Sequence, residues 1–184
     1  MDHIETPRLR LSQITEQNLN DFHAIWSTPE ATKWSSRGCL KTVEESREWM
    51  KGLLISNNPE GLNYGVFVRA NDTSPPSADA QMIGIVGVFR PEPIAELGYT
   101  FHPSFWGKGY ATESVDAFVK RFWELRSTVR TMTAKTDAEN HGSMRVLVKC
   151  GFREVRREEA DIVLPAFGEG KRSAVVFEVS RPEA

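Results

Sequence analysis

Apolar and polar residues alternate over residues 8–14 (Arg-Leu-Arg-Leu-Ser-Gln-Ile), the period of a half-buried strand. The period then changes. After Thr15, a residue suited to capping a helix, Leu19, Phe22, Ile25 and Trp26 recur at helical spacing as far as Pro29. Thr42-Val-Glu-Glu45 has the reciprocal Thr-x-x-Glu form that starts a helix, and Met50, Leu53 and Leu54 continue one apolar face. Two β-rich runs, residues 64–69 and 82–89, flank the turn-rich stretch Asn71–Asp79, which reads as a long hairpin loop. Residues 94–102 read as a strand stopped by Pro103. From Gly107 onward Ala111, Val115, Phe118, Val119 and Phe122 form a helical stripe. Residues 128–136 are a β-branched strand, Ser143–Cys150 a short helix closed by Gly151, and 152–163 and 172–180 two last strands.

This order predicts the α/β class: a mixed sheet of about seven strands with about four helices on its faces. The strand–helix–strand run over 94–137 implies parallel pairing, and the hairpin over 64–89 antiparallel pairing. A chain of 184 residues suits one domain over 1–184, large enough to hold a core without disulfide or metal. The 40% hydrophobic and 26% charged composition excludes a disordered or fibrous chain, and a net charge of −2 gives no reason to expect nucleic acid or an anionic membrane. Cys39 and Cys150 lack metal-ligand spacing, so no metal is expected and a reducing, cytoplasmic setting is. No apolar run approaches the ~20 residues of a membrane span.

Chemistry concentrates in Phe105-Trp-Gly-Lys-Gly-Tyr-Ala-Thr-Glu113, which joins a strand to an amphipathic helix. A helix start leaves about four N–H groups without intrahelical partners and carries roughly half a positive charge. Gly107 and Gly109 clear side chains from these amides, so a phosphate or pyrophosphate can approach. A Walker A loop is disfavoured, because His102 stands at its first glycine position and Gly109 follows Lys108. A dinucleotide fingerprint fails at Thr112. The same glycines would serve an ordinary chain reversal.

Trp106-Gly-Lys-Gly-Tyr-Ala111 resembles the acetyl-CoA loop of the GCN5-related N-acetyltransferase (GNAT) superfamily, with Trp106 standing where Gln or Arg is usual. The longer string through Glu113 resembles the branch that contains ribosomal-protein N-terminal acetyltransferases. Thr6-Pro-Arg-Leu-Arg-Leu11, Glu96-Leu-Gly-Tyr99 and Asn140-His-Gly-Ser-Met-Arg-Val-Leu-Val-Lys-Cys-Gly-Phe152 match further motifs of that branch in order. Near the C-terminus, Ser173 stands where the branch often has aspartate.

The resemblance implies acetyl transfer from acetyl-CoA to an amine, in a sheet splayed open between its fourth and fifth strands, with the thioester in that gap. Pantetheine would pair with the backbone of Tyr99, Thr100 and Phe101. The loop from Trp106, through Gly107, Lys108, Gly109, Tyr110 and Ala111, to Thr112 would hold pyrophosphate. Asn140 would bond the pantetheine from the far side. Glu96 would act as general base, directly or through water, and Ser143 as proton donor to the leaving sulfur, since no tyrosine follows Tyr110. The acceptor would be a protein N-terminus or a small-molecule amine, and the protein a monomer or homodimer. The competing reading is a catalytically weak acyl-CoA-binding module with a regulatory role. Trp34 and Trp49 are expected at the core or rim of the acceptor side, and Cys150, at a helix end, is no nucleophile.

Overall fold

The computed structural model describes residues 3–69, 81–91 and 94–183. Strand β1 (His3–Glu5) and β2 (Leu9–Gln13) precede three helices: α1 (Leu19–Trp26), α2 (Pro29–Thr32) and α3 (Val43–Lys51). β3 (Leu62–Val68), β4 (Met82–Val88) and β5 (Ala95–Phe101) then lead into α4 (Tyr110–Leu125). β6 (Thr131–Asp137), α5 (His141–Lys149), β7 (Arg153–Val163) and β8 (Lys171–Ser180) complete the order. The described residues thus hold eight strands and five helices in one mixed sheet, ordered β1-β2-β3-β4-β5-β6-β8-β7. Only the β5–β6 pair is parallel; the other neighbours run antiparallel.

The expected elements are present, with one strand and one helix more than the periodicity showed. β1, at three residues, is too short to display a period. In α2, Pro29 opens a turn of helix, a position its fixed φ and missing N–H both suit, where the sequence reading took it only as a stop. The expected hairpin loop at 71–79 lies outside the described residues.

Capping explains most boundaries. Thr42 Oγ1 accepts the Glu45 N–H at 3.1 Å, and Glu45 Oε2 accepts the Thr42 N–H at 3.2 Å, which starts α3 at Val43. Leu53 and Leu54 are buried but lie in the turn beyond Lys51 rather than in the helix. Asn140 Oδ1 accepts the Ser143 N–H at 3.1 Å, so α5 begins at His141, two residues before the start expected from its apolar period.

Two cores flank the sheet. On one face α4 and α5 bury Val115, Phe118, Phe122 and Leu147 against Leu9, Tyr64, Val86 and Met132. On the other, α1 and α3 bury Phe22, Ile25 and Met50 against Met82 and Ile85. All seven residues of β4 are buried, as a strand covered on both faces requires. Phe118 and Phe122 are fully buried. Truncating such a phenylalanine costs about 3–5 kcal/mol, so α4 is held firmly enough to fix the loop at its N-terminus.

Candidate active site

The loop after β5 is shaped by two glycines. Gly107 has φ +74° and Gly109 φ +82°, the left-handed region that other residues enter only at a cost. Gly109 is the N-cap of α4, whose first intrahelical bond runs from the Glu113 N–H to the Gly109 carbonyl at 3.0 Å. The Tyr110, Ala111 and Thr112 amides therefore precede the helical ladder and point outward at its positive end. Among the described residues, no heavy atom stands within 4 Å of where a Gly107 Cβ would lie, so the backbone there is open to approach. Trp106 is half-exposed, and its indole Nε1 donates to the Phe101 carbonyl at 2.8 Å, tying the loop back to β5.

An ion pair that the sequence reading missed braces this turn from the β1–β2 connection. Arg8 Nε donates to Glu113 Oε2 at 2.6 Å, and Arg8 Nη1 donates to the Lys108 carbonyl at 2.9 Å. Glu113 also accepts from the Thr6 hydroxyl at 2.6 Å and the Arg8 amide at 3.0 Å. Both segments were visible as motifs, but nothing in one dimension joins residues more than a hundred positions apart.

Beside the loop the sheet opens. The β5–β6 ladder has two described pairs, Ala95 with Met132 and Glu96 with Thr133, while β5 continues to Phe101. Antiparallel alternation decides which β5 groups face the opening. His102 N–H donates to the Ile83 carbonyl, which places Thr100 opposite Ile85 in a hydrogen-bonded pair with β4. The N–H and C=O of Tyr99 and Phe101 point to the other edge, where the Phe101 carbonyl already accepts from Trp106. Of the three residues expected to pair with pantetheine, Tyr99 presents its backbone to the opening most fully, and Thr100 presents its backbone to β4.

Side chains alternate as well. Ala95, Leu97 and Phe101 enter the α4–α5 core, whereas Glu96 is exposed on the opposite face, the face on which α1–α3 pack. Across the opening α5 brings Asn140 and Ser143. The Asn140 carbonyl oxygen is occupied as the helix cap, so its NH2 end is the part that can meet a ligand. Ser143 is partly buried, and its Oγ lies 2.7 Å from Tyr99 Oη. Burial pushes the Tyr99 phenol above its usual range, the Ser143 contact opposing this only in part.

Cys150 is a partly buried thiol packed against the α4–α5 core. Its Sγ donates to the Thr112 carbonyl at 3.4 Å, and burial, aided by the Asp116 charge, pushes its pKa up to about 12. His102 accepts from the Ser104 N–H in a short turn. Trp49, partly buried, packs edge-on against Trp26 of the α1–α3 core with ring centroids 5.6 Å apart, while Trp34 packs 5.2 Å from Phe167 of the β7–β8 connection. Core and rim are where the two were expected. Among the described residues, no group of three or more His, Cys, Asp or Glu is arranged to hold a metal ion. No described helix is long and apolar enough to cross a membrane.

Two carboxyls tie the site to pH. Burial works to raise Asp137, but Arg172, at 2.6 Å, and the Glu139 amide outweigh it and hold the group below its usual value. Glu113 is likewise held down, the Thr6 hydroxyl and Arg8 overcoming burial. A depressed acid contributes its full stability above its unfolded pKa of about 4 and loses it as pH falls through the lower folded value. The melting temperature is therefore expected to be flat from pH 7 to about 5 and to fall below about pH 4. Asp137→Asn should cost about 1.5–3 kcal/mol at pH 7 and flatten part of that acid slope. An unaltered slope in circular-dichroism melts would show that the Arg172 pair does not couple to folding.

The mixed sheet thus parts beside a glycine-shaped helix start, with the exposed Glu96 carboxylate on β5 and the Ser143 hydroxyl on α5. Residues 8–153 match the acetyltransferase (GNAT) domain. The chain belongs to the GNAT acetyltransferase family, whose general reaction is acetyl transfer to an amine. It is 26% identical over 155 residues to the uncharacterised N-acetyltransferase YoaA of Bacillus subtilis (strain 168), covering 82% of each chain. In fold it is similar to a GNAT-family acetyltransferase from Bacillus anthracis, with TM-score 0.80 and 20% identity over 97% of this chain and 98% of that one. It is similar also to RimL, a ribosomal L7/L12 α-N-protein acetyltransferase solved with coenzyme A, with TM-score 0.79 and 17% identity over 97% and 98% of the two chains.

Proposed function

We propose that residues 1–184 form one acetyl-CoA-dependent N-acetyltransferase domain that moves an acetyl group directly to a primary amine within a ternary complex. The acceptor is a protein N-terminus or a small-molecule amine. The observation that carries this reading is the end of the β5–β6 ladder at Glu96 and Thr133, beside the positive N-terminus of α4. The residues present fit acetyl-CoA: an open β5 edge at Tyr99 for pantetheine, and glycine-cleared amides from Gly107 to Thr112 for pyrophosphate. Bound there, acetyl-CoA supplies an activated acetyl thioester.

The chain's own groups do the rest. Glu96, exposed on the acceptor face, takes a proton from the incoming ammonium, directly or through water, so that a neutral amine attacks. Asn140 holds the pantetheine amide region through its NH2. The Ser143 hydroxyl donates to the sulfur as the acyl bond breaks. Ser143→Ala is expected to lower kcat about tenfold with acetyl-CoA affinity unchanged. That is less than the ~2.7–4 kcal/mol of an enclosed oxyanion donor, because water reaches an open cleft and a thiolate leaves readily. Ser143→Cys should resemble Ala, a thiol being a weak donor. Unchanged kcat in both would leave Ser143 a helix-start residue only.

Isothermal titration with acetyl-CoA, CoA and ATP, followed by an acceptor screen for CoA release, tests the proposal. Acetyl-CoA binding with turnover of an amine is the expected result. Binding without turnover of any amine would favour the weak acyl-CoA-binding module. Binding of ATP alone would overturn both.

A further inference from the structure

The functional reading uses only the backbone of Tyr99. Its side chain leaves β5 on the core side, three residues past the last described β5–β6 pair, and reaches α5 across the opening. There Oη lies 2.7 Å from Ser143 Oγ and 3.2 Å from the Ser143 carbonyl oxygen. We infer that Tyr99 is a positioning residue: its phenol donates to Ser143 Oγ and so turns the Ser143 O–H outward, toward the sulfur that leaves during acetyl transfer. The inference rests on the N-acetyltransferase reading and adds to it the group that aims the hydroxyl.

The direction of that bond follows from chemistry. A serine hydroxyl has one proton and two acceptor sites, and near a helix start it readily turns back to its own backbone. A phenol is the more acidic of the two hydroxyls, hence the better donor, and the shorter contact is the one to Oγ. Accepting that bond occupies a lone pair of Ser143 and polarises its O–H, which makes it a stronger donor to a third atom.

Tyr99 aims the proton but does not supply one. The phenol is raised by burial, and the Cys150 thiol, the titratable neighbour near it on the α5 side, is itself pushed up to about 12. Both stay neutral at working pH, and a buried tyrosinate is no product of the step. The balance closes without it. The acyl C–S bond breaks with its electron pair kept by sulfur. The acyl carbon–nitrogen bond forms in its place, and the acceptor nitrogen loses two protons in all. One goes through Glu96 to solvent and one to Ser143 Oγ, where it replaces the proton Ser143 gives to sulfur.

Tyr99→Phe keeps the ring and removes only the hydroxyl. The expected result is a threefold to tenfold loss in kcat, on the order of one hydrogen bond, with the acetyl-CoA Kd within about twofold of the parent. In a Ser143→Ala background Tyr99→Phe should change kcat no further, because the residue acts through that hydroxyl alone. Losses that multiply in the double variant, or an unchanged kcat in the single one, overturn the inference. A second measurement needs no acceptor: the thiol of bound CoA is titrated by its thiolate absorbance. The parent should hold that thiol at a lower pKa than Tyr99→Phe and Ser143→Ala, which should agree with each other. Equal values in parent and Tyr99→Phe overturn the inference while leaving the enzyme reading intact. A parent that binds neither acetyl-CoA nor CoA overturns the enzyme reading itself, and this inference with it.

Discussion

Glu96→Gln is expected to bind acetyl-CoA as the parent does while kcat/KM falls about 10²–10⁴-fold at neutral pH, the scale of a lost general base. Glutamine keeps the length and shape of the side chain and removes only its basicity. Glu96 is exposed on β5 and sits at the last described β5–β6 pair, so the substitution disturbs no core contact that would confuse the result. The defect should shrink as pH rises, because the acceptor amine then loses its proton to solvent unaided. Kinetics at pH 7 and pH 9.5 decide the matter. An equal defect at both would mean that Glu96 holds the acceptor rather than deprotonating it.

Gly109→Val should weaken acetyl-CoA binding by roughly 100-fold or more, the loss of two charge-assisted bonds at about 1.5–3 kcal/mol each. Gly109 has φ +82°, which costs an L-residue about 1–2 kcal/mol. A Cβ there would stand 3.3 Å from Arg8 Nη2, the guanidinium that braces the loop. The branched side chain thus both strains the helix cap and crowds the amides proposed to meet pyrophosphate. A thermal melt alongside the titration separates the two effects. Gly109→Ala should share the strain while losing less affinity, having less bulk at the amides. If Gly109→Val folds and binds acetyl-CoA as tightly as the parent, the loop does not hold the pyrophosphate.

Glu96, Asn140 and Ser143 were singled out by family resemblance; the sequence by itself determined the class of fold, the order of most elements and the position of the glycine loop. It could do so because those features are local. Alternation, helical period, a Thr-x-x-Glu cap and glycines at a strand–helix junction each express themselves within a few residues. Three-residue β1 and the Pro29 turn escaped for the converse reason: each is shorter than the period that would reveal it. Tertiary structure alone decided which atoms meet. Arg8 reaches Glu113 and the Lys108 carbonyl only because the β1–β2 connection runs beside the start of α4. Thr100 faces β4 while Tyr99 faces the opening because one antiparallel register, and not its neighbour, is hydrogen-bonded. Tyr99 meets Ser143, 44 positions away, because the ladder stops and α5 folds back over the gap. These are consequences of long-range packing, which no local pattern encodes.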